Sequence, residues 1–165
     1  MFCDRRSVIA MLVPLALAAC GGGGQDIDTF DSGPAAVPPD ASSKDFGDYV
    51  VHFNALTTDQ LTADVAKQYG IVRSPNRAML NVSIIRKEEG TIGQSVPGSV
   101  SASATNLTGQ LKNLQVREVK EGGAVYYIGD VAVADRETLV FNIDVTPMNE
   151  TSRFSMRFTR KFYAE

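Results

Sequence analysis

The chain has 165 residues, 16 Lys and Arg against 19 Asp and Glu, one His, two Cys and no Trp, for a formal charge of −3. A mildly acidic chain offers no footprint for nucleic acid or for anionic lipid. Two cysteines make no disulfide framework, and the length suits one domain with its own core.

Residues 1–19 read as a lipoprotein signal peptide. Arg5 and Arg6 supply the positive start, and Val8 to Leu17 is an apolar run. That run is roughly ten residues, well short of the ~20 a spanning helix needs. It closes on Leu17-Ala18-Ala19-Cys20-Gly21, a spelling that resembles the bacterial lipobox, in which the cysteine is acylated and becomes the first mature residue. An ordinary signal peptide that happens to contain Cys20 is the alternative. Cys3 would be removed, leaving Cys20 for lipid and nothing for an internal disulfide. Several acyl chains on one residue anchor stably where a single chain is marginal. Gly21, standing where an aspartate resembles an inner-membrane retention signal, points to the outer membrane, facing the periplasm. Cleavage removes Asp4, Arg5 and Arg6, so −3 becomes −4.

Residues 20–43 read as a flexible tether. Gly21-Gly22-Gly23-Gly24 is followed by Asp26, Asp28 and Asp31, then by Pro34, Pro38 and Pro39, with no helical or strand period. Such a coil would hold a domain on the order of 25–30 Å from the membrane. Asp26-Ile27-Asp28 lacks the glycine and distal glutamate of a calcium loop.

Residues 44–165 form the expected domain, and strand signals dominate it. Tyr49–Leu56 is the expected first strand. From Thr58 to Tyr69 the apolar residues fall at Leu61, Val65, Ala66 and Tyr69, with Gly70 as a stop, which predicts a short helix between the first two strands. Leu80, Val82 and Ile84 alternate with Asn81, Ser83 and Ile85, and Val100, Ala102 and Ala104 with Ser99, Ser101 and Ser103. Gly122-Gly123 marks a hairpin between Leu114–Lys120 and Ala124–Val133, because a primed turn needs positive φ. Leu139, Phe141, Ile143 and Val145 alternate with Val140, Asn142, Asp144 and Thr146. Beyond a hairpin at Pro147–Glu150, Phe154, Met156 and Phe158 alternate with Ser155, Arg157 and Thr159. A two-residue period repeated this often predicts half-buried antiparallel strands. The expected fold is mainly β, an immunoglobulin-like antiparallel β-sandwich of about seven strands plus the helix. The alternative is a small barrel.

The segments Lys44-Asp45-Phe46-Gly47-Asp48-Tyr49, Tyr69-Gly70-Ile71 with Arg73-Ser74, Asn76 to Ser83 and the ending Phe162-Tyr163 resemble the domain-of-unknown-function family numbered 4426. The resemblance covers essentially all of residues 44–165. It implies an exported protein of a Gram-negative envelope and brings no catalytic residue with it. It also implies an ordinary signal peptide in the relatives, so the lipobox and glycine tether are additions here.

For chemistry the residues offer little. His52, between Val51 and Phe53, has no cysteine beside it for a zinc site and reads as an exposed strand residue. Ser99, Ser101 and Ser103 lie along one strand face without a nucleophile elbow. Glu88-Glu89-Gly90 reads as a solvated hairpin tip. Gly90, Gly93 and Gly98 form neither a phosphate loop nor a dinucleotide fingerprint, so no cofactor and no metal is expected. Arg73 and Arg77 flank Pro75, able to grip an anion or, structurally, to pair with Asp45 or Asp48. Arg153, Arg157 and Lys161 are expected on one face of the last strand, a basic stripe that either solvates a sheet edge or receives an acidic partner.

The expected function is a non-catalytic binding or assembly module, lipid-anchored to the membrane, with a possible envelope protein as partner. One alternative is an envelope hydrolase using paired carboxylates such as Glu118, Asp130 or Asp144. The other is a carrier of a small apolar ligand.

Overall fold

A computed structural model describes residues Ser42–Ala164. The expected signal peptide, Cys20 and nearly all of the expected tether lie outside the described residues. No helix among the described residues is long and apolar enough to cross a membrane.

Ten strands run β1 (Ser43–Phe46), β2 (Tyr49–Thr57), β3 (Arg77–Arg86), β4 (Gln94–Ser95), β5 (Gly98–Asn106), β6 (Leu111–Lys112), β7 (Arg117–Glu121), β8 (Ala124–Ala132), β9 (Thr138–Pro147) and β10 (Phe154–Lys161). Every pairing is antiparallel. They form two sheets, β1-β2-β3-β8-β7 with β4 beside β3, and β10-β9-β5-β6. The immunoglobulin-like expectation holds at the level of two packed antiparallel sheets, with an open sandwich and no closed barrel. The count rises from about seven to ten because β1, β4 and β6 are too short to show alternation.

Alternation places the core correctly. Val51, Phe53 and Ala55 of β2 and Leu80, Val82 and Ile84 of β3 are buried against Phe141, Ile143 and Val145 of β9 and Met156 and Phe158 of β10. The Phe158 ring stacks on Phe141 at 4.9 Å and meets Phe53 of the other sheet at 4.8 Å, so aromatic contacts cross the centre. Val140, on the outer face, is also buried, although it falls on the polar side of the sequence pattern. Its register neighbours Thr159 and Thr105 flank it from both adjoining strands.

The helix needs two corrections. It stands between the second and third strands, because β1 precedes the expected first strand. It is also shorter: a 3-10 turn (Thr58–Gln60) and α1 (Ala63–Gln68) replace one continuous helix. Leu61 and Thr62 are extended, with ψ of 145° and 155°. The buried Thr58 hydroxyl holds the turn in place, lying 2.8 Å from the Val72 carbonyl and accepting from the Ser74 N–H at 2.9 Å. Thr62 then caps α1 by accepting from the Val65 N–H, and Gly70 ends it at φ 63°. Gly122 and Gly123, at φ 54° and 86°, make the expected two-residue hairpin between β7 and β8.

Candidate functional site

Hydrogen-bond parity defines the edge of the smaller sheet. The Phe162 N–H donates to the Glu137 carbonyl at 2.8 Å, continuing the β9–β10 register. Backbone groups alternate sides along a strand, so the even residues of β10 bond to β9 and the odd ones turn outward. Ser155, Arg157, Thr159 and Lys161 therefore present N–H and C=O groups that no described strand takes up. Their side chains lie on the face opposite the buried Met156 and Phe158, and Arg157 and Lys161 are exposed.

The other sheet contributes a second open stretch beside it. The Phe53 N–H donates to Ser42 at 2.8 Å, so odd residues of β2 face β1. β1 reaches no further among the described residues, which leaves Ala55 and Thr57 facing outward. A groove of about 450 Å³ runs between these two stretches, walled by Ala55, Thr57 and Gln60 on one side and Thr159, Lys161 and Tyr163 on the other. The Lys161 ammonium sits 5.2 Å from the Tyr163 ring centre.

The expected basic residues are distributed unevenly. Arg153 precedes β10, and its guanidinium bonds Asp144, which also accepts from Ser155 Oγ at 2.5 Å. The Arg153 hydrogen bond holds the Asp144 carboxyl below the usual carboxylate range. Arg153 is thereby neutralised, and the stripe reduces to Arg157 and Lys161, with Arg160 added at the rim of the groove. Arg157 and Arg160 have no carboxylate partner among the described residues.

Arg73 and Arg77 do not pair with Asp45 or Asp48. Arg77 forms an ion pair with Asp130 of β8, which lies beside it on the outer face of the larger sheet. Arg73 donates to the Asp59 carbonyl at 2.7 Å, bracing the 3-10 turn. Asp45 instead binds Lys87. β3 and β8 are adjacent in space but far apart in sequence, which is why the pairing of Arg77 was not legible in the chain. His52 is exposed on β2, as expected. Glu88 pairs with Arg86 at 3.6 Å in the β3–β4 turn.

The three carboxylates of the hydrolase reading do not converge. Glu118 on β7 pairs with Lys120 at 2.9 Å and lies 3.0 Å from the Tyr127 hydroxyl, and these contacts, Lys120 first, keep it below its ordinary range. Asp130 on β8 holds Arg77, and Asp144 on β9 holds Arg153. Each is committed to a separate structural pair. The Tyr127 hydroxyl also bonds Gly98 of β5, at 2.7 Å from its N–H and 2.8 Å from its carbonyl, tying the two sheets together.

The other edges of the sandwich are short or engaged. At the end of β7, Glu121 takes the Tyr69 hydroxyl and the Gln68 amide, the latter at 2.9 Å, while Arg117 donates to the Tyr69 carbonyl. The Glu121 hydrogen bond pushes the Tyr69 hydroxyl up to about 12. β6 has two residues and β1 has four.

The sequence profile described as "Domain of unknown function (DUF4426)" matches residues 43–165. The chain belongs to the DUF4426 family. A crystal structure of a DUF4426 family protein from Pseudomonas aeruginosa is similar at 33% identity and a TM-score of 0.62, covering 74% of this chain and 94% of that one. A family 123 glycoside hydrolase from Clostridium perfringens is matched at 8% identity and a TM-score of 0.34, over 70% of this chain and 28% of that one, too slight a likeness to bear on fold or chemistry. No curated protein matches. The basic strand edge and groove thus belong to a DUF4426 domain that occupies residues 43–165.

Proposed function

We propose that this DUF4426 protein is a non-catalytic binding or assembly module, held to a bacterial membrane by lipid on Cys20 and facing the periplasm. The lipobox spelling Leu17-Ala18-Ala19-Cys20 supports the anchor, and Gly21 supports the outer membrane over the inner. The observation that carries the binding reading is the open edge of β10, where the exposed Arg157 and Lys161 stand without carboxylate partners among the described residues. Exposed cations at an edge steer an acidic partner and fix its register more than they add affinity. The filled centre of the sandwich, where Phe53, Phe141 and Phe158 touch, favours a surface role over the carriage of a small apolar ligand.

Crosslinking in intact envelopes, followed by recovery of the protein, tests this reading. A module of this kind recovers a defined envelope protein, and recovery falls as salt is raised before crosslinking, since exposed charge contacts are screened within ~8 Å at physiological salt. Recovery of no defined partner, or of one indifferent to salt, contradicts it.

A further inference from the structure

We infer that the outer edge of β10 accepts an extended, acidic segment of a partner protein as an added strand. This rests on the binding-module reading above and names the site and the partner's chemistry.

Three observations lead here. The first is the backbone. Ser155, Arg157, Thr159 and Lys161 turn their N–H and C=O groups away from β9, and a strand laid alongside would take them up in order. The second is the character of this edge among the described ones. β10 runs eight residues without proline, whereas β6 has two, β1 has four and β7 has five, with the Glu121 side chain at its end bound by Gln68 and Tyr69. The third is the groove beneath it, which gives the inward side chains of an added strand a place to enter, between Ala55 and Thr57 on one wall and Thr159 and Phe162 on the other.

Charge selects the occupant. Directly opposite residues on paired strands approach to about 4.5–5.5 Å between Cβ atoms, so opposite charges there stabilise and like charges destabilise. A second copy pairing through the same edge about a two-fold axis at Arg157 sets Arg157 against itself. An axis at Thr159 sets Arg157 against Lys161. Both registers juxtapose cations, whereas an axis at Phe158 sets Arg157 against Thr159 and Lys161 against Ser155, so self-pairing is penalised in part of its registers and gains no charge complementarity in any. An acidic strand meets no such penalty. Arg157 and Lys161 are four residues apart, so the complementary segment carries two acids at that spacing, a β-branched residue midway opposite Thr159, and apolar residues at the intervening inward positions.

The test uses the whole mature protein and three capped synthetic peptides. The first reads Ser-Glu-Val-Thr-Val-Glu-Ser, the second has Lys in place of each Glu, and the third has Pro in place of the central Thr. Amide hydrogen exchange is followed residue by residue. The acidic peptide should slow exchange at Arg157, Thr159 and Lys161 by about tenfold or more, while the amides of Met156 and Phe158, already bonded to β9, change little. The lysine and proline peptides should not. Thr159→Pro removes one outward N–H without touching the β9 ladder, a substitution edge strands tolerate. It should abolish the effect while Met156 and Phe158 stay protected, which shows the sheet intact. Arg157→Gln with Lys161→Gln should erase the preference for the acidic over the lysine peptide.

If the acidic peptide bound without protecting the outward amides, or bound Thr159→Pro as well as the parent, strand addition would be wrong, although a salt-sensitive envelope partner would still uphold the module. Outward amides already protected in the free protein would also overturn the inference. Protection lost on dilution would assign the edge to a second copy, and protection independent of dilution to the chain's own N-terminal residues.

Discussion

Phe141 and Phe158 are register partners on β9 and β10, and their rings stack at 4.9 Å with only 13° between planes. Phe53 from the opposite sheet meets Phe158 at 4.8 Å, and Phe162 meets Phe141 edge-on at 6.3 Å. The relation fixes β10, and with it the open edge, against the centre of the domain. Phe141→Ala and Phe158→Ala should each cost ~3–5 kcal/mol in denaturant unfolding, the usual loss for a buried ring. Asn142→Ala, next along β9 on the outer face and opposite Arg157, should stay within about half a kcal/mol. Parent-like unfolding of both ring variants would contradict this packing.

Glu137 and Lys112 form a largely enclosed ion pair at 2.6 Å, with side chains only 13% and 20% exposed. Burial by itself would raise the Glu137 carboxyl. The Lys112 ammonium, the Ala134 N–H and Asn106 outweigh it and hold the group below its ordinary 4.5. A carboxyl lowered on folding contributes stability above the unfolded value and loses it as pH falls through the folded one. Glu137→Gln should therefore cost about 1–3 kcal/mol at neutral pH, and the gap should narrow in acid below the ordinary carboxylate range. Urea melts at both pH values decide it, and a gap independent of pH would refute the assignment.

Tyr69 should be among the last tyrosines to ionise, because the Glu121 carboxylate accepts a hydrogen bond from its hydroxyl and raises it to about 12. Glu121→Gln removes the charge and should return one tyrosine toward the ordinary range in an ultraviolet titration. An unchanged titration would mean that the contact between the end of α1 and β7 does not persist in solution.

Cys20→Ala should release the protein from the membrane fraction or leave it unprocessed. A membrane-bound product still carrying labelled lipid would show that another residue is the anchor.

The alternation of Leu80, Val82 and Ile84, of Leu139 to Val145 and of Phe154 to Phe158 carried most of the fold, because a half-buried strand writes its two faces directly into the chain. Gly122-Gly123 marked its hairpin for an equally local reason. β1, β4 and β6 were not legible: strands of two to four residues show no period. The helix is shorter than its spacing suggested because Thr58, a polar residue, is buried through bonds to Val72 and Ser74, a contact that forms only after folding. For the site, strand alternation placed Arg157 and Lys161 on the outer face, yet it gave no sign that Asp144 neutralises Arg153 or that Asp130 claims Arg77. Periodicity reports which face a side chain occupies, and the identity of a partner across a sheet depends on strand order.

Recovery of crosslinked envelope partners by the parent and by the Arg157→Gln, Lys161→Gln double variant tests the account most directly. Both residues are exposed and without carboxylate partners among the described residues, so the variant should unfold within about half a kcal/mol of the parent. Its membrane fraction, set by Cys20, should be unchanged. The partner recovered by the parent should be lost or sharply reduced. Equal recovery of the same partner by the folded, membrane-bound double variant would contradict the account and place the binding face away from β10.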